Sequence, residues 1–366
     1  MAAGLLTDIQ AAQTKQAQAA AQLASGRRFT HPSGHPAAAG SAEVLNAAQA
    51  AQVRYQGAGQ AATAWSQATG TALQQAVDLL QQVRQDALSG ASSTLTAAER
   101  TATAGVVGQL GQQLLQVANS RFEGLYLFAG QKVSTAPFAS QTASYAGDTG
   151  KVSFEVAPGM VVAPSVAGTV LAPVLHAVAQ VQADLLHPRY QTASKASATA
   201  ALGKSGSFSI NGKTVTVSAG ESLTGLASGI NAAGAGVSAS VVTTSGGYAL
   251  SVRSDSTSGV STTDSSGILS GLGWQGALNG SDLHALDTAL RSVAATQGQV
   301  GAVQQGLALQ KQTLQGQAQT LQQQQASLED TNVAKESVAY SEAAQGLQAS
   351  LLVTSKALPQ SLFTFL

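Results

Sequence analysis

Six apolar residues spaced seven apart, Val293, Val300, Leu307, Leu314, Leu321 and Leu328, constrain this chain more than any other feature. A row of that period is one stripe along an α-helix slightly underwound by supercoiling, so the spacing predicts a long helix with one sticky edge. The positions beside the row are mostly glutamine: Gln297, Gln304, Gln310, Gln317, Gln324 and Gln325. A seam one row wide is too narrow to hold two copies together, so this helix needs partner helices from elsewhere in the sequence.

Beyond Leu328 the phase slips. Val333, Tyr340, Leu347 and Thr354 form a second row, with Ala344, Leu351 and Leu358 four residues on, which makes a wider apolar face. The sequence closes on the apolar hexapeptide Ser361-Leu362-Phe363-Thr364-Phe365-Leu366. Each large side chain left in water forgoes roughly 1.5–3 kcal/mol of burial, so this end is expected to be covered by something.

Composition narrows the partners. Only 10% of residues are charged and 4% aromatic, so the chain must fold through thin helix seams and small-residue packing. With 18 basic and 18 acidic residues there is no basic field to release counterions from a phosphate backbone, and nucleic acid is not expected as a partner. The absence of cysteine removes disulfides and thiolate chemistry. Residues 1–25 lack a basic segment followed by an apolar run of about 7–15 residues, so no cleaved signal peptide is expected. No membrane span is expected either, since no run approaches about 18 apolar residues.

Read in order, residues 5–24 form an alanine and glutamine helix with the thin row Leu5, Ile9, Ala12, Ala19 and Leu23. His31-Pro32-Ser33-Gly34-His35-Pro36 interrupts it. A second helix runs from Pro36 or Ala37 to about Leu88, and Ser89–Ser93 is a loop. Thr96 and Glu99 spell a capping box that starts a third helix, which gives way around Asn119 to the aromatic cluster Phe122–Gly130. From Gln131 to Gly280 the period is two. Lys151–Val156 alternates as a strand turned by Pro158-Gly159, and Val174–Leu186 suits a short helix. Phe208 and Ile210, then Asn211-Gly212, then Val215 and Val217 read as a hairpin with a type I′ turn. Leu223, Leu226 and Ile230 suggest a short helix, and Val237–Val242 with Tyr248–Val252 a second hairpin. Helical pattern resumes near Ser281.

The expected fold class is α+β: a long α-helical coiled-coil stalk formed by the N- and C-terminal parts, with a central β-rich insertion. The expected divisions are an N-terminal assembly helix and loop (1–36), the first half of the stalk (37–130), a β-rich part (131–200), a β module (201–280), the second half of the stalk (281–332) and a C-terminal assembly helix (333–366). Assembly contacts are expected at Leu5, Ile9, Leu23, Leu347, Leu351, Leu358, Leu362 and Leu366.

Catalytic and metal-binding patterns are weak, and no enzyme, cofactor or metal is expected. His31 and His35 have helical spacing, but the prolines beside them forbid a helix. Gly271–Gly276 spells a dinucleotide pattern without a preceding parallel strand, and reads as a flexible end of the β region. Asn279-Gly280-Ser281 matches a glycosylation sequon. Asp78, Asp86, Asp282 and Asp287 read as solvated helix faces.

One stretch is more specific. Asn119-Ser120-Arg121-Phe122-Glu123-Gly124-Leu125-Tyr126-Leu127-Phe128-Ala129-Gly130, closing on Pro137-Phe138, resembles the signature of the hook-filament junction proteins of the flagellin superfamily. Ser25–Arg28, Pro36–Ala39, Thr296–Ala302 and the C-terminal Ser361-Leu362 with Leu366 are similar to the family's terminal stretches. Phe208–Gly212 with Ile230-Asn231 is similar to the small module inserted in flagellins. The sequence departs from the pattern at Gly34, His35, Gln304, Gln305 and Asn332.

The resemblance implies an extracellular structural subunit of the bacterial flagellum, exported by the type III route. It also implies Asn119, Gly124, Tyr126, Leu127, Phe128, Gly130, Pro137 and Phe138 as structural motif residues. Implied partners are further copies, hook-associated protein 1 on the hook side, flagellin on the filament side and an export chaperone at the C-terminal segment. The alternatives are a filament flagellin, or a secreted adhesin whose β region binds a glycan or protein.

Overall fold

The computed structural model describes residues 2–29, 35–91, 95–276, 278 and 280–357. Long helices come first and last: α1 (Ala2–Ser25), α2 (Pro36–Gly90) and α3 (Ala97–Ala118) precede the β region, and α7 (Ser281–Glu329) and α8 (Val333–Ala357) follow it. By contacts the chain forms two units, one of Met1–Gly59, Glu155–Met160 and Ala308–Leu366, the other of Gln60–Phe154 and Val161–Leu307.

In the first unit, the early part of α2 runs antiparallel to the late part of α7. Leu314 of the heptad row is 2% exposed, while Leu321 and Leu328 are half-buried. The glutamines beside the row tie the helices together. Gln49 Nε2 donates to Gln325 Oε1 at 2.7 Å, Gln325 Nε2 to Asn46 Oδ1 at 3.1 Å, and Gln52 Nε2 to the Leu314 carbonyl. Glutamine amides both donate and accept, so a thin leucine seam is widened by hydrogen bonds instead of apolar area.

The phase slip is a break in the helix. Arg28 N donates to the Glu329 carbonyl at 2.7 Å and Thr331 N to the Gly26 carbonyl at 2.9 Å, so the end of α7 is stitched to the end of α1. Gly26 has φ +67°, a conformation a side chain would strain. Asn332 Oδ1 accepts from Lys335 N at 3.1 Å and caps α8. α8 then turns back along α1, the two packing side by side.

In the second unit, the rest of α2 packs with α3, the early part of α7, and α4 (Ala172–Leu186). Leu73, Leu80, Val107, Val174, Leu175, Val178, Val181, Leu185, Leu286 and Val293 are all 0% exposed. Gln304 Nε2 donates to the Ser66 carbonyl at 3.0 Å and Gln297 Nε2 to Gln74 Oε1 at 2.6 Å, the same antiparallel glutamine stitching. Thr96 and Glu99 form the predicted box at the start of α3: Glu99 N donates to Thr96 Oγ1, while Thr96 N and the Thr96 hydroxyl donate to the Glu99 carboxylate and lower its pKa. Residues 168–186 are apolar and long enough to cross a membrane, yet α4 is a core helix here, packed against α3.

The β region is antiparallel. β1 (Arg121–Phe122) pairs β2 (Leu125–Tyr126), and β3 (Phe154–Ala157) pairs β4 (Met160–Val162). Beyond α4 come β5 (Arg189–Gln191), β6 (Gly206–Ile210), β7 (Lys213–Val217), α5 (Leu223–Ala232), β8 (Val237–Thr244), β9 (Gly247–Ser254), β10 (Thr262–Thr263), α6 (Ile268–Gly271) and β11 (Gln275–Gly276). Sheets of order β10-β6-β7 and β11-β5-β9-β8 and the helix α5 enclose a second core of Phe208, Ile210, Leu223, Leu226, Ile230, Leu250 and Val252. Asn211 and Gly212 have φ +46° and +76°, as a type I′ turn requires.

Two expectations are overturned. Gly271–Gly276 is not a loose end: Leu272 is 1% exposed, its carbonyl accepts from Ala193 N at 2.8 Å, and Trp274 stacks on Tyr190 with ring centroids 5.5 Å apart. Asp282 is not on a solvated face; it is 4% exposed and ion-paired. His31, Pro32, Ser33, Gly34, Ser92, Ser93, Asn279 and Ser361–Leu366 lie outside the described residues.

Candidate assembly surface

The paired terminal helices leave large apolar residues exposed. α1 contributes small residues to the pair, with Ala19 6% exposed and Ile9, Ala12 and Leu23 half-buried. On α8, Leu347 and Ala344 are half-buried. Val333, Val338, Leu351, Leu352 and Val353 are instead 49–58% exposed, and Tyr340 is 38% exposed. Covering these six side chains would gain on the order of 5 kcal/mol per subunit, taking about half of the full burial value for each. Alongside runs a groove of about 570 Å³ lined by Asp8, Lys15, Ala19, Glu336, Ala343 and Gly346, among others. The side chain of Leu5, and all of Leu358, Leu362 and Leu366, lie outside the described residues. Val338, Leu352 and Val353 were not singled out from sequence. Val338 and Leu352 sit two heptads apart with Gln345 between them, a broken row that counting apolar residues passes over.

The aromatic motif folds into a knot held by one asparagine. Glu123 and Gly124 take φ +50° and +83°, turning the chain so that β1 pairs β2. Asn119 Nδ2 donates to the Phe138 carbonyl at 2.8 Å and Asn119 Oδ1 accepts from Phe138 N at 3.1 Å, so its amide substitutes for a neighbouring strand. Pro137 accepts at its carbonyl from Ala146 N at 2.9 Å. Leu127, Phe128 and Phe138 are at most 2% exposed, and Phe122 stands edge-on to Trp65 at 6.1 Å. The Arg121 guanidinium lies over the Tyr126 ring, 4.2 Å from its centroid. Gly130 has φ +71°, and a Cβ there would fall 2.2 Å from the Asp148 carbonyl oxygen. Asp148 Oδ1 accepts from Gln131 N and Gly150 N, both at 2.8 Å, and bonding to Gln131 N leads the causes that lower its pKa. Asn119, Leu127, Phe128, Gly130 and Phe138 are thus spent on holding a turn or filling a core.

The same device recurs in the β module. Asn231 Nδ2 donates to the Ala239 carbonyl at 2.8 Å and its Oδ1 accepts from Ala239 N at 2.7 Å. β8 is the edge of its sheet, so Asn231 occupies backbone groups that another strand could otherwise pair with. Asn211 bridges similarly, from Ser261 N at 2.9 Å to the Ala235 carbonyl at 2.8 Å.

A buried charge cluster lies outside every sequence expectation. Asp184 of α4, 0% exposed, takes Arg189 Nε at 2.8 Å and Arg253 Nη2 at 2.8 Å; Arg189 Nη2 reaches Asp282 Oδ1 at 2.6 Å. Burial, with Asp184 beside it, pushes the Asp282 carboxyl up to about 7 against the pull of Arg189.

Comparison with known proteins agrees with this architecture. Residues 1–133 match the bacterial flagellin N-terminal helical region, residues 283–366 the bacterial flagellin C-terminal helical region, and residues 203–256 the flagellin hook IN motif. The chain is 32% identical over 136 residues to flagellar hook-associated protein 3 of Escherichia coli, and 33% identical over 136 residues to that of Salmonella typhimurium. These alignments span 37% of this chain and 43% of each relative's length. A solved structure from Vibrio parahaemolyticus, described as a flagellar hook-associated protein, shares the fold with TM-score 0.50 at 14% identity, over 81% of this chain and 100% of that one. With both helical ends and the inserted module matched, the chain belongs to the flagellin superfamily.

Proposed function

We propose that this chain is a structural subunit of the bacterial flagellum, joining hook to filament and polymerising through α1 and α8. The observation that carries the reading is the set of large apolar residues Val333, Val338, Tyr340, Leu351, Leu352 and Val353, left exposed on α8 when α1 and α8 pair. A thin two-helix hairpin cannot cover them itself, and neighbours presenting the same faces can. The similarity to hook-associated protein 3 over 136 residues favours the junction over the filament shaft. On this reading segments 1–36 and 333–366 are the assembly ends, with Leu5, Ile9, Leu23, Leu347, Leu351, Leu358, Leu362 and Leu366 at subunit contacts. The motif from Asn119 to Phe138 is a rigid joint, and the β module at 201–280 is an appendage.

The partners are further copies, hook-associated protein 1 on the hook side, flagellin on the filament side, and an export chaperone on the C-terminal segment before export without signal cleavage. The subunit works outside the cell and uses no cofactor. Replacing Val338, Tyr340, Leu351 and Leu352 together by serine tests this: the subunit should be secreted and folded, and filaments should fail to attach. Normal filaments on cells carrying that variant would refute it. Deleting residues 201–276, which spares α4 and the core it shares with α2, α3 and α7, should leave attachment largely intact; loss of a surface-binding activity with normal filaments would instead favour an adhesin.

A further inference from the structure

We propose that Asp282 holds a proton beside the Asp184 carboxylate in the folded subunit, and that its release loosens the fastening between the first turn of α7, α4 and the four-stranded sheet. The geometry begins with Asp282 Oδ2, a buried oxygen that no hydrogen-bond donor among the described residues reaches. The other oxygen of Asp282 is taken by Arg189 Nη2 at 2.6 Å. Both oxygens of Asp184 already have donors: Oδ2 has Arg189 Nε at 2.8 Å, and Oδ1 has Arg253 Nη2 at 2.8 Å and Gln180 Nε2 at 2.9 Å. A buried carboxylate oxygen without a donor is costly, and a proton placed on it turns an orphan acceptor into a donor toward the neighbouring carboxylate.

The charged groups that meet Asp282 of α7 in the cluster are few. They are Asp184 from α4, Arg189 from β5 and Arg253 from β9. Arg100 of α3 lines the same cavity as Asp184 and Arg189, but its guanidinium is held by the Leu95 and Thr257 carbonyls. With the proton bound, two guanidiniums face one carboxylate and one neutral acid; without it, two carboxylates crowd a site where Arg253 reaches only Asp184. The folded chain therefore keeps a proton that the unfolded chain loses in the ordinary carboxylate range. Stability falls as pH rises from that range to about 7, and is level above it.

The cluster fastens two neighbouring strands of the four-stranded sheet, β5 and β9, to α4 and to the first turn of α7, so loosening it frees the sheet from the helices of its own unit. Hydrogen exchange of the full chain, read by mass spectrometry and corrected for the intrinsic pH dependence, tests this directly. Protection of Leu283–Leu286 should fall by up to about tenfold between about pH 6 and about pH 8 in the wild type and stay constant in Asp282→Asn. Infrared difference spectra of the wild type alone serve where that variant does not fold: a buried protonated carboxyl band should disappear over the same pH range. Constant wild-type protection, or no carboxyl titrating in that range, would overturn the proposal.

Discussion

Removing the side-chain amide of Asn119 should unseat the aromatic joint. In Asn119→Ala the Phe138 N–H and C=O lose partners at 3.1 and 2.8 Å, beside a ring that is 2% exposed. Each buried backbone group left unpaired costs about 1–3 kcal/mol; with some water reaching the half-buried Asn119 site, the pair should cost about 2–4 kcal/mol. Asn119→Asp separates the contributions. It keeps an acceptor for Phe138 N but replaces the donor with a negative oxygen facing the Phe138 carbonyl, so it should recover no more than about half of the loss. Trp65, 4% exposed and edge-on to Phe122, reports on this core. The chain has two tryptophans, so urea unfolding followed by fluorescence in a Trp274→Phe background isolates it. A shift of the Trp65 transition worth less than about 0.5 kcal/mol in Asn119→Ala, or equal stability of Asn119→Asp and wild type, would refute the account of this motif.

Two further perturbations probe the same framework. Gly130→Ala places a Cβ 2.2 Å from the Asp148 carbonyl oxygen at φ +71°, and should cost more than about 2 kcal/mol on the Trp65 transition. Asn231→Ala uncovers the Ala239 backbone on the edge of the β8 sheet, so the folded variant should self-associate with concentration, seen as rising light scatter where the wild type stays flat.

What the sequence reveals here is what local spacing determines. The heptad row predicts burial at Val293, Val300, Leu307 and Leu314, each at most 4% exposed, because period is set by the helix itself. Asn211-Gly212 and Thr96–Glu99 are equally legible, since a positive φ or a cap is demanded within four residues. Asp282 is not legible: its partners lie on α4 and β5, and an acid on the first turn of a polar helix looks like any solvated one. Asp78, bonded to Gln74 on its own helix, is of that ordinary kind. Gly271–Gly276 misleads for the opposite reason, because its serine-rich approach hides the buried Leu272. The exposed apolar set on α8 is half legible: Tyr340 and Leu351 stand in the heptad rows, whereas which face turns toward α1 depends on the break at 330–332 and its stitching to Gly26.

On the proposed function, α1 and α8 build this subunit into one place, the boundary of hook and filament. Immunoelectron microscopy with antibodies against the module at 203–256, on flagella of cells expressing the wild-type chain, tests it most directly. The account predicts a single cluster of label where the hook ends. Label distributed along the filament would contradict it.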